Sequence, residues 1–209
     1  MKRENFDSFM ARFVNICTPA ELGMLQVVYA LSKHAHRHEV RREKDVGGNP
    51  VRYFEHPRAV ALILFDEMGI VDVGTICLAL LHDVPEDTCR LDIHALSYVL
   101  GNDHELIRSL ILLTKTPQNK KGYYERLVRH GSKQVLLVKV ADRLHNLRTL
   151  GDDPVVRQKQ IEDTSRHFSG IIDALLAKRE QGYVEKWHDQ VIMCTQEILG
   201  YCEPHILEE

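Results

Sequence analysis

Several things are missing from this sequence, and each absence removes a class of function. No stretch of about 18 consecutive apolar residues occurs, so no membrane-spanning helix is expected. The opening Met1-Lys2-Arg3-Glu4-Asn5 leads into no long apolar run, so no signal peptide is expected either. There is no G-x-x-x-x-G-K-[ST] and no G-x-G-x-x-G, so neither a P-loop nor a dinucleotide fold is supported. No G-x-S-x-G elbow offers a nucleophilic serine. None of the five cysteines sits in a C-x-x-C pair, and an odd count of spread-out thiols reads as reduced cysteine in a cytoplasmic protein. The net charge of -3 is too small, and of the wrong sign, to mark a partner nucleic acid or an anionic membrane. Repeats, low-complexity tracts and domain linkers are absent, and strand-like alternation is nearly so.

What remains is helical spacing. Apolar content of 44% over 209 residues suffices for one domain with a full core. Thr18 caps a helix with Pro19 at its first position and Glu21 three residues after the cap. That helix ends in a basic tail from Lys33 to Lys44, whose His34, His36 and His38 read as a surface patch. Gly47-Gly48-Asn49-Pro50 is a loop by composition. Further helices are expected from Pro57 to Met68, Val73 to His82, Asp92 to Leu100 and Asp103 to Leu113. Others are expected from Tyr123 to Arg129, Ser132 to Leu150, Asp153-Pro154 to Lys178, and Tyr183 to Leu199. Trp187 and His188 in the last of these read as packing residues. The fold class is therefore all-α, a single bundle of about eight to ten helices.

Two stretches carry more than packing. In Leu78-Ala79-Leu80-Leu81-His82-Asp83-Val84-Pro85-Glu86-Asp87, four ionisable groups crowd the end of an apolar helix. Packing does not require them; a solvated acidic turn is the competing reading. In the helix from Ser132 to Leu150, Asp142 follows Val138-Lys139-Val140-Ala141, where a carboxylate is costly unless paired or bound to a cation. His56 precedes another helix at Pro57. Two imidazoles and two carboxylates, His56, His82, Asp83 and Asp142, suit Mn²⁺, Fe²⁺, Zn²⁺ or Mg²⁺. Twelve histidines in the chain raise the expectation of such a site.

Three segments together resemble the HD-domain metal-dependent phosphohydrolases, and more closely the hydrolase domain of RelA/SpoT-type proteins and the small alarmone hydrolases. They are His56-Pro57-x-Ala59-Val60-Ala61, then Ala79 to Thr88, then Val138 to Leu150. H-D-x-x-E-D-T together with K-x-A-D-R-L-H-N-x-R-T is a far more specific signature than His-Asp alone. The resemblance is strongest over about residues 25–170 and implies one HD-type domain over residues 1–209, with the C-terminal helices as an extension. A synthetase domain finds no room in the chain.

The resemblance implies roles. His56, His82, Asp83 and Asp142 would hold one divalent metal, typically Mn²⁺. Glu86 and Asp87 would orient and activate the attacking water. Asn146 and Arg148, supported by Thr149, would line a nucleotide pocket. A basic residue of the 41–44 segment would face the nucleotide: Arg42 is the first choice, with Arg41 and Lys44 as rivals. Lys139, Arg143, Lys115, Lys120 and Lys121 are further cations within reach of phosphates. Two departures from the family pattern stand out. The Gly48 to Phe54 segment is two residues longer than the usual Gly-x-Pro-Tyr, so either Tyr53 or Phe54 could take the place of the family tyrosine. Pro85 replaces a more usual Val or Thr, which predicts an altered turn and an intact site.

The implied reaction is hydrolysis of the 3′-pyrophosphate of (p)ppGpp to GDP or GTP and pyrophosphate, the alarmone of the stringent response. The alternatives are a broader nucleotide phosphatase acting on NADPH or a (p)ppApp-type substrate, an antitoxin to a small alarmone synthetase, and a degenerate binding module. The expected partner is a small nucleotide, with no nucleic acid and no membrane; a homo-oligomer is left open.

Overall fold

The computed structural model describes residues 4–45, 47–87, 93–151, 153–178 and 186–202. Among them the chain forms α1 (Phe6–Met10), α2 (Pro19–Ala35), α3 (Glu55–Leu62), α4 (Val73–Leu81), α5 (Val84–Asp87) and α6 (Ile93–Val99). It continues with α7 (His104–Leu113), α8 (Tyr123–His130), α9 (Lys133–Arg148), α10 (Pro154–Ala177) and α11 (Lys186–Gly200). Without the single turn α5 these are ten helices, matching the expected helical class. The proposed start of α6 at Asp92 and the side chains of Trp187 and His188 lie outside the described residues.

The helix starts follow from the local sequence. Thr18 and Glu21 form the reciprocal capping box, and Pro19 needs no N–H at the first turn. Asp72, Asp103, Ser132 and Asp153 each accept a backbone N–H in the first turn of α4, α7, α9 and α10. Past its C-cap Ile63, α3 does not stay regular. Ile63–Glu67 is a π-helical turn, closed by Met68 N–H donating to the Ile63 carbonyl at 2.9 Å. Gly69 (φ 68) then stops the helix, in the left-handed region that glycine enters freely.

Two helices form the centre. In α4 every residue except Gly74 is buried, which is why its sequence is apolar all round. It packs against α2, α3, α7 and α9. On α9, Leu136, Val140, Ala141 and Leu144 are wholly buried. Each large aliphatic side chain so placed contributes roughly 1.5–3 kcal/mol relative to exposure. His82, at the end of α4, and Asp142, within α9, are thus carried by these two central helices.

One element escaped the sequence. Val40–Lys44 (β1) pairs antiparallel with Pro50–Arg52 (β2), where a basic helix tail and a long loop were expected. Asp45 Oδ1 accepts the N–H of Gly47 and of Asn49 and closes the hairpin loop. The alternation was invisible because it is carried by charge: Arg41 and Glu43 face inward while Val40, Arg42 and Lys44 are exposed. The histidine patch is corrected as well. His34 and His38 are exposed, but His36 is 1% exposed, because α2 ends at Ala35 and its C-cap residue turns into the body.

Candidate metal centre

The start of α3, the end of α4 and the interior of α9 meet at one point. His56 lies in the first turn of α3, His82 caps the C-terminus of α4 with Asp83 directly after it, and Asp142 lies within α9. His56, His82 and Asp142 are all 5% exposed or less. His56 Nε2 is 3.3 Å from Asp83 Oδ2 and 3.2 Å from Asp142 Oδ1. His82 Nε2 is 3.1 Å from Asp83 Oδ1 and 3.8 Å from Asp142 Oδ1. One ligand atom from each of His56, His82 and Asp83 falls within 4.8 Å of the others, a group able to hold a divalent metal ion.

The donor set fits such an ion. His82 Nδ1 is 2.7 Å from the Ala79 carbonyl, which can only accept, so the ring proton sits on Nδ1. In the neutral ring the lone pair is then on Nε2, facing the cluster, and this buried atom has no aligned hydrogen-bond partner. A buried nitrogen aimed at two carboxylates with nothing to bond is the signature of a ligand position.

The surrounding charges are balanced. Burial alone would push Asp83 up, but the His82 and His56 imidazoles that face it outweigh this and hold the carboxyl well below its usual range. Asp142 is likewise pushed up by burial, then held well below that range by Lys139, His56 and His82. Lys139 Nζ lies 2.7 Å from Asp142 Oδ2, one helical turn away; burial lowers its pKa, and Asp142 more than reverses this.

A set of supporting contacts arrives from the hairpin. Tyr53 O–H donates to Asp83 Oδ2 at 3.0 Å and stacks on His36 with ring centroids 4.7 Å apart. His36 Nδ1 is 2.6 Å from Glu39 Oε2, so Tyr53 rests on a tethered ring. Phe54 turns the other way and meets Tyr29 in the core at 4.8 Å. Of the two aromatics the sequence left open, Tyr53 faces the site and Phe54 does not.

The structure redistributes the predicted substrate residues. Asn146 stands beside the cluster, with its Nδ2 donating to Asp142 Oδ1 at 2.6 Å. Its basic partner is Arg41: Nη2 donates to Asn146 Oδ1 and to Thr149 Oγ1, both at 3.1 Å. Arg42 and Lys44 lie on the opposite, exposed face of β1, because adjacent strand residues point to opposite sides. Arg148 is corrected too. Its guanidinium is clamped by Glu67 (2.8 Å) and Glu197 (2.7 Å), tying the π-helical turn and α11 to α9. Lys139 has Asp142 as its partner, and Arg143 is held by Gln160 and Tyr124.

Pro85 is accommodated in the first turn of α5, where Glu86 N–H donates to the Asp83 carbonyl at 3.1 Å. Glu86 is exposed, and its Oε2 accepts the Lys115 N–H at 2.8 Å, which fastens it to the loop after α7. The side chain of Asp87 lies outside the described residues. Lys120 and Lys121 are exposed, whereas Lys115 reaches back over the rings of Tyr123 and Tyr124. Two contacts of the proposed ligands from outside the cluster were also not foreseen from the sequence. They are Tyr53 to Asp83 and His56 Nδ1 to His145 Nδ1, the latter at 2.8 Å. His145 stood in the quoted K-x-A-D-R-L-H-N-x-R-T run three residues after Asp142, which was the available signal.

Comparison with known proteins agrees with this architecture. Residues 29–181 match the HD domain family, and the chain belongs to it. The guanosine-3′,5′-bis(diphosphate) 3′-pyrophosphohydrolase MESH1 of Mus musculus is 36% identical over 129 residues, covering 60% of this chain and 69% of that protein. The Homo sapiens MESH1 is 35% identical over 130 residues, with the same coverage. The GTP pyrophosphokinase rsh of Brucella melitensis is 40% identical over 132 residues, and the match covers only 16% of that longer protein. A solved structure, described as a metazoan ortholog of SpoT that hydrolyzes ppGpp and plays a role in starvation responses, shares the fold at a TM-score of 0.60. It is 23% identical, with 83% of this chain and 94% of that one covered.

Proposed function

We propose that this chain hydrolyses the 3′-pyrophosphate of guanosine 3′-diphosphate 5′-di- or triphosphate, (p)ppGpp, acting as a single HD-type domain. The observation that carries the reading is the convergence of His56, His82, Asp83 and Asp142 on one buried point, with Glu86 one turn beyond His82. The MESH1 relatives, named for this activity over more than two thirds of their length, support it.

In this reading His56, His82, Asp83 and Asp142 hold one divalent ion, with Mn²⁺ the favoured metal. When bound, such an ion lowers the pKa of water and offsets charge on a phosphoryl group. The chain's own residues do the rest. In this reading Glu86, which accepts the Lys115 N–H, orients the attacking water and takes its proton, with Asp87 beside it in sequence. Water oxygen bonds to the phosphorus attached at O3′. The bond from that phosphorus to O3′ breaks, pyrophosphate leaves, and O3′ gains a proton. Lys139 keeps Asp142 ionised, so its charge serves the ligand and not the substrate. Arg41, reaching across Tyr53 at 5.8 Å, and Asn146 form the nucleotide wall. Arg42 and Lys44 are left to contact phosphates from the exposed face.

The test is turnover of ppGpp by purified protein with Mn²⁺, run beside ppApp, NADPH and 3′-monophosphates. Release of pyrophosphate and GDP from ppGpp, abolished in Asp83→Ala, is the expected result. Preferential release of inorganic phosphate from NADPH would replace this reading with the phosphatase one.

A further inference from the structure

We propose that His145 is a positioning residue for the metal centre, accepting the Nδ1–H of His56 so that His56 Nε2 faces the cluster as a lone-pair donor. This rests on the metal reading of His56, His82, Asp83 and Asp142. The two histidine ligands solve the same problem differently. A neutral imidazole carries one proton, and the nitrogen that does not carry it is the one able to ligate. His82 ends α4, where carbonyls of its own helix point past it, and Ala79 O receives its Nδ1–H at 2.7 Å. His56 lies in the first turn of α3, where no preceding helical carbonyl is available. The carbonyl of Tyr53, three residues back, already accepts the His56 backbone N–H at 2.9 Å. The partner that the ring meets is on another helix: His145 Nδ1 stands 2.8 Å from His56 Nδ1.

The geometry makes α9 a two-point grip. Asp142 and His145 are one turn apart on the same helix. Asp142 Oδ1 meets Nε2 of His56 at 3.2 Å, while His145 Nδ1 meets the other ring nitrogen. Two ring nitrogens at this distance must be one donor and one acceptor. If His145 were the donor, His56 would carry its proton on Nε2 and could not ligate. With His145 as acceptor, Nε2 is free and the ring plane is set. Leu144 and Leu147, both buried, fix the register of α9.

The test uses divalent-metal affinity, not turnover. His145→Gln keeps an acceptor at this position and should bind Mn²⁺ within about threefold of wild type, whereas His145→Leu should bind roughly 10–100-fold more weakly. Metal-free thermal stability and helical circular dichroism report whether each variant folds. Should His145→Leu fail to fold, nitrogen-15 NMR of the Zn²⁺-loaded wild type decides instead: His56 is expected to carry its proton on Nδ1. Equal Mn²⁺ affinity in wild type and a folded His145→Leu, equal weakness in the Gln and Leu variants, or a proton on His56 Nε2 would overturn the inference alone. A wild-type protein that binds no divalent ion would overturn the metal reading with it.

Discussion

Arg41 donates from Nη2 to Asn146 Oδ1 at 3.1 Å, and Asn146 in turn donates from Nδ2 to Asp142 Oδ1 at 2.6 Å. A hairpin cation is thereby connected through one amide to the buried Asp142 carboxylate beside the candidate metal site. Losing a charged hydrogen bond of this kind costs about 1.5–3 kcal/mol. Arg41→Ala is therefore expected to lower kcat/KM on the nucleotide by roughly 10–100-fold. Arg42→Ala, on the outward face of the same strand, removes only a solvent-screened phosphate contact and should change it less than about threefold. Equal losses in steady-state assays of the two variants would refute the inward assignment of Arg41.

Tyr53→Phe keeps the ring that stacks on His36 and removes only the O–H bonded to Asp83. Mn²⁺ affinity should fall by about tenfold, because the outer partners of a ligand set its orientation and basicity. Thermal stability of the metal-free protein should move little. Calorimetric titration separates the two effects; unchanged affinity would count against Tyr53 as a support of Asp83.

Lys139→Met leaves Asp142 buried without its principal counter-charge. The metal-free protein should lose about 3 kcal/mol in urea unfolding, and saturating divalent metal should recover part of it, since a cation replaces the lost ammonium. A loss that metal does not reduce would show that Lys139 acts by packing alone. In the wild type, chelator should lower the melting temperature relative to Mn²⁺-loaded protein for the same linkage reason.

Arg148 is a structural clamp in this fold, so Arg148→Ala should reduce stability more than activity. Its partner Glu197 is the group that titrates. Its hydrogen bond from Arg148 outweighs burial and depresses its pKa. A carboxylate with a lowered folded-state pKa stabilises above its unfolded value and loses that contribution as pH falls through the folded one. The wild type should thus lose up to about 1 kcal/mol below roughly pH 4.3, after allowing for solvent screening. Glu197→Gln should lack that acid-side component in melting curves taken from pH 5 to pH 3. A variant slope equal to wild type would remove Glu197 from this role.

The sequence alone determined which residues could bind a metal and which helices would hold them. An apolar stretch ending in His82-Asp83, and Asp142 inside an apolar run, are local statements. A buried charge needs a partner wherever the chain puts it, so composition at those points already implied a cation. Caps at Thr18, Asp103, Ser132 and Asp153 are equally local, which is why the helix starts were legible. Tertiary structure alone decided which side chains share a wall. The hairpin at Val40–Lys44 was hidden because its alternating residues are charged, and its period of two is what turned Arg41 inward and Arg42 outward. Arg148 belongs to the segment that marks the family, yet Glu67 and Glu197, from the π-helical turn and from α11, claim it. His56 and His145 are separated by 89 positions, and nothing local to either predicts a shared hydrogen bond. Residue type and spacing settle what each group can do; only the crossing of α3, α4 and α9 settles which groups do it together.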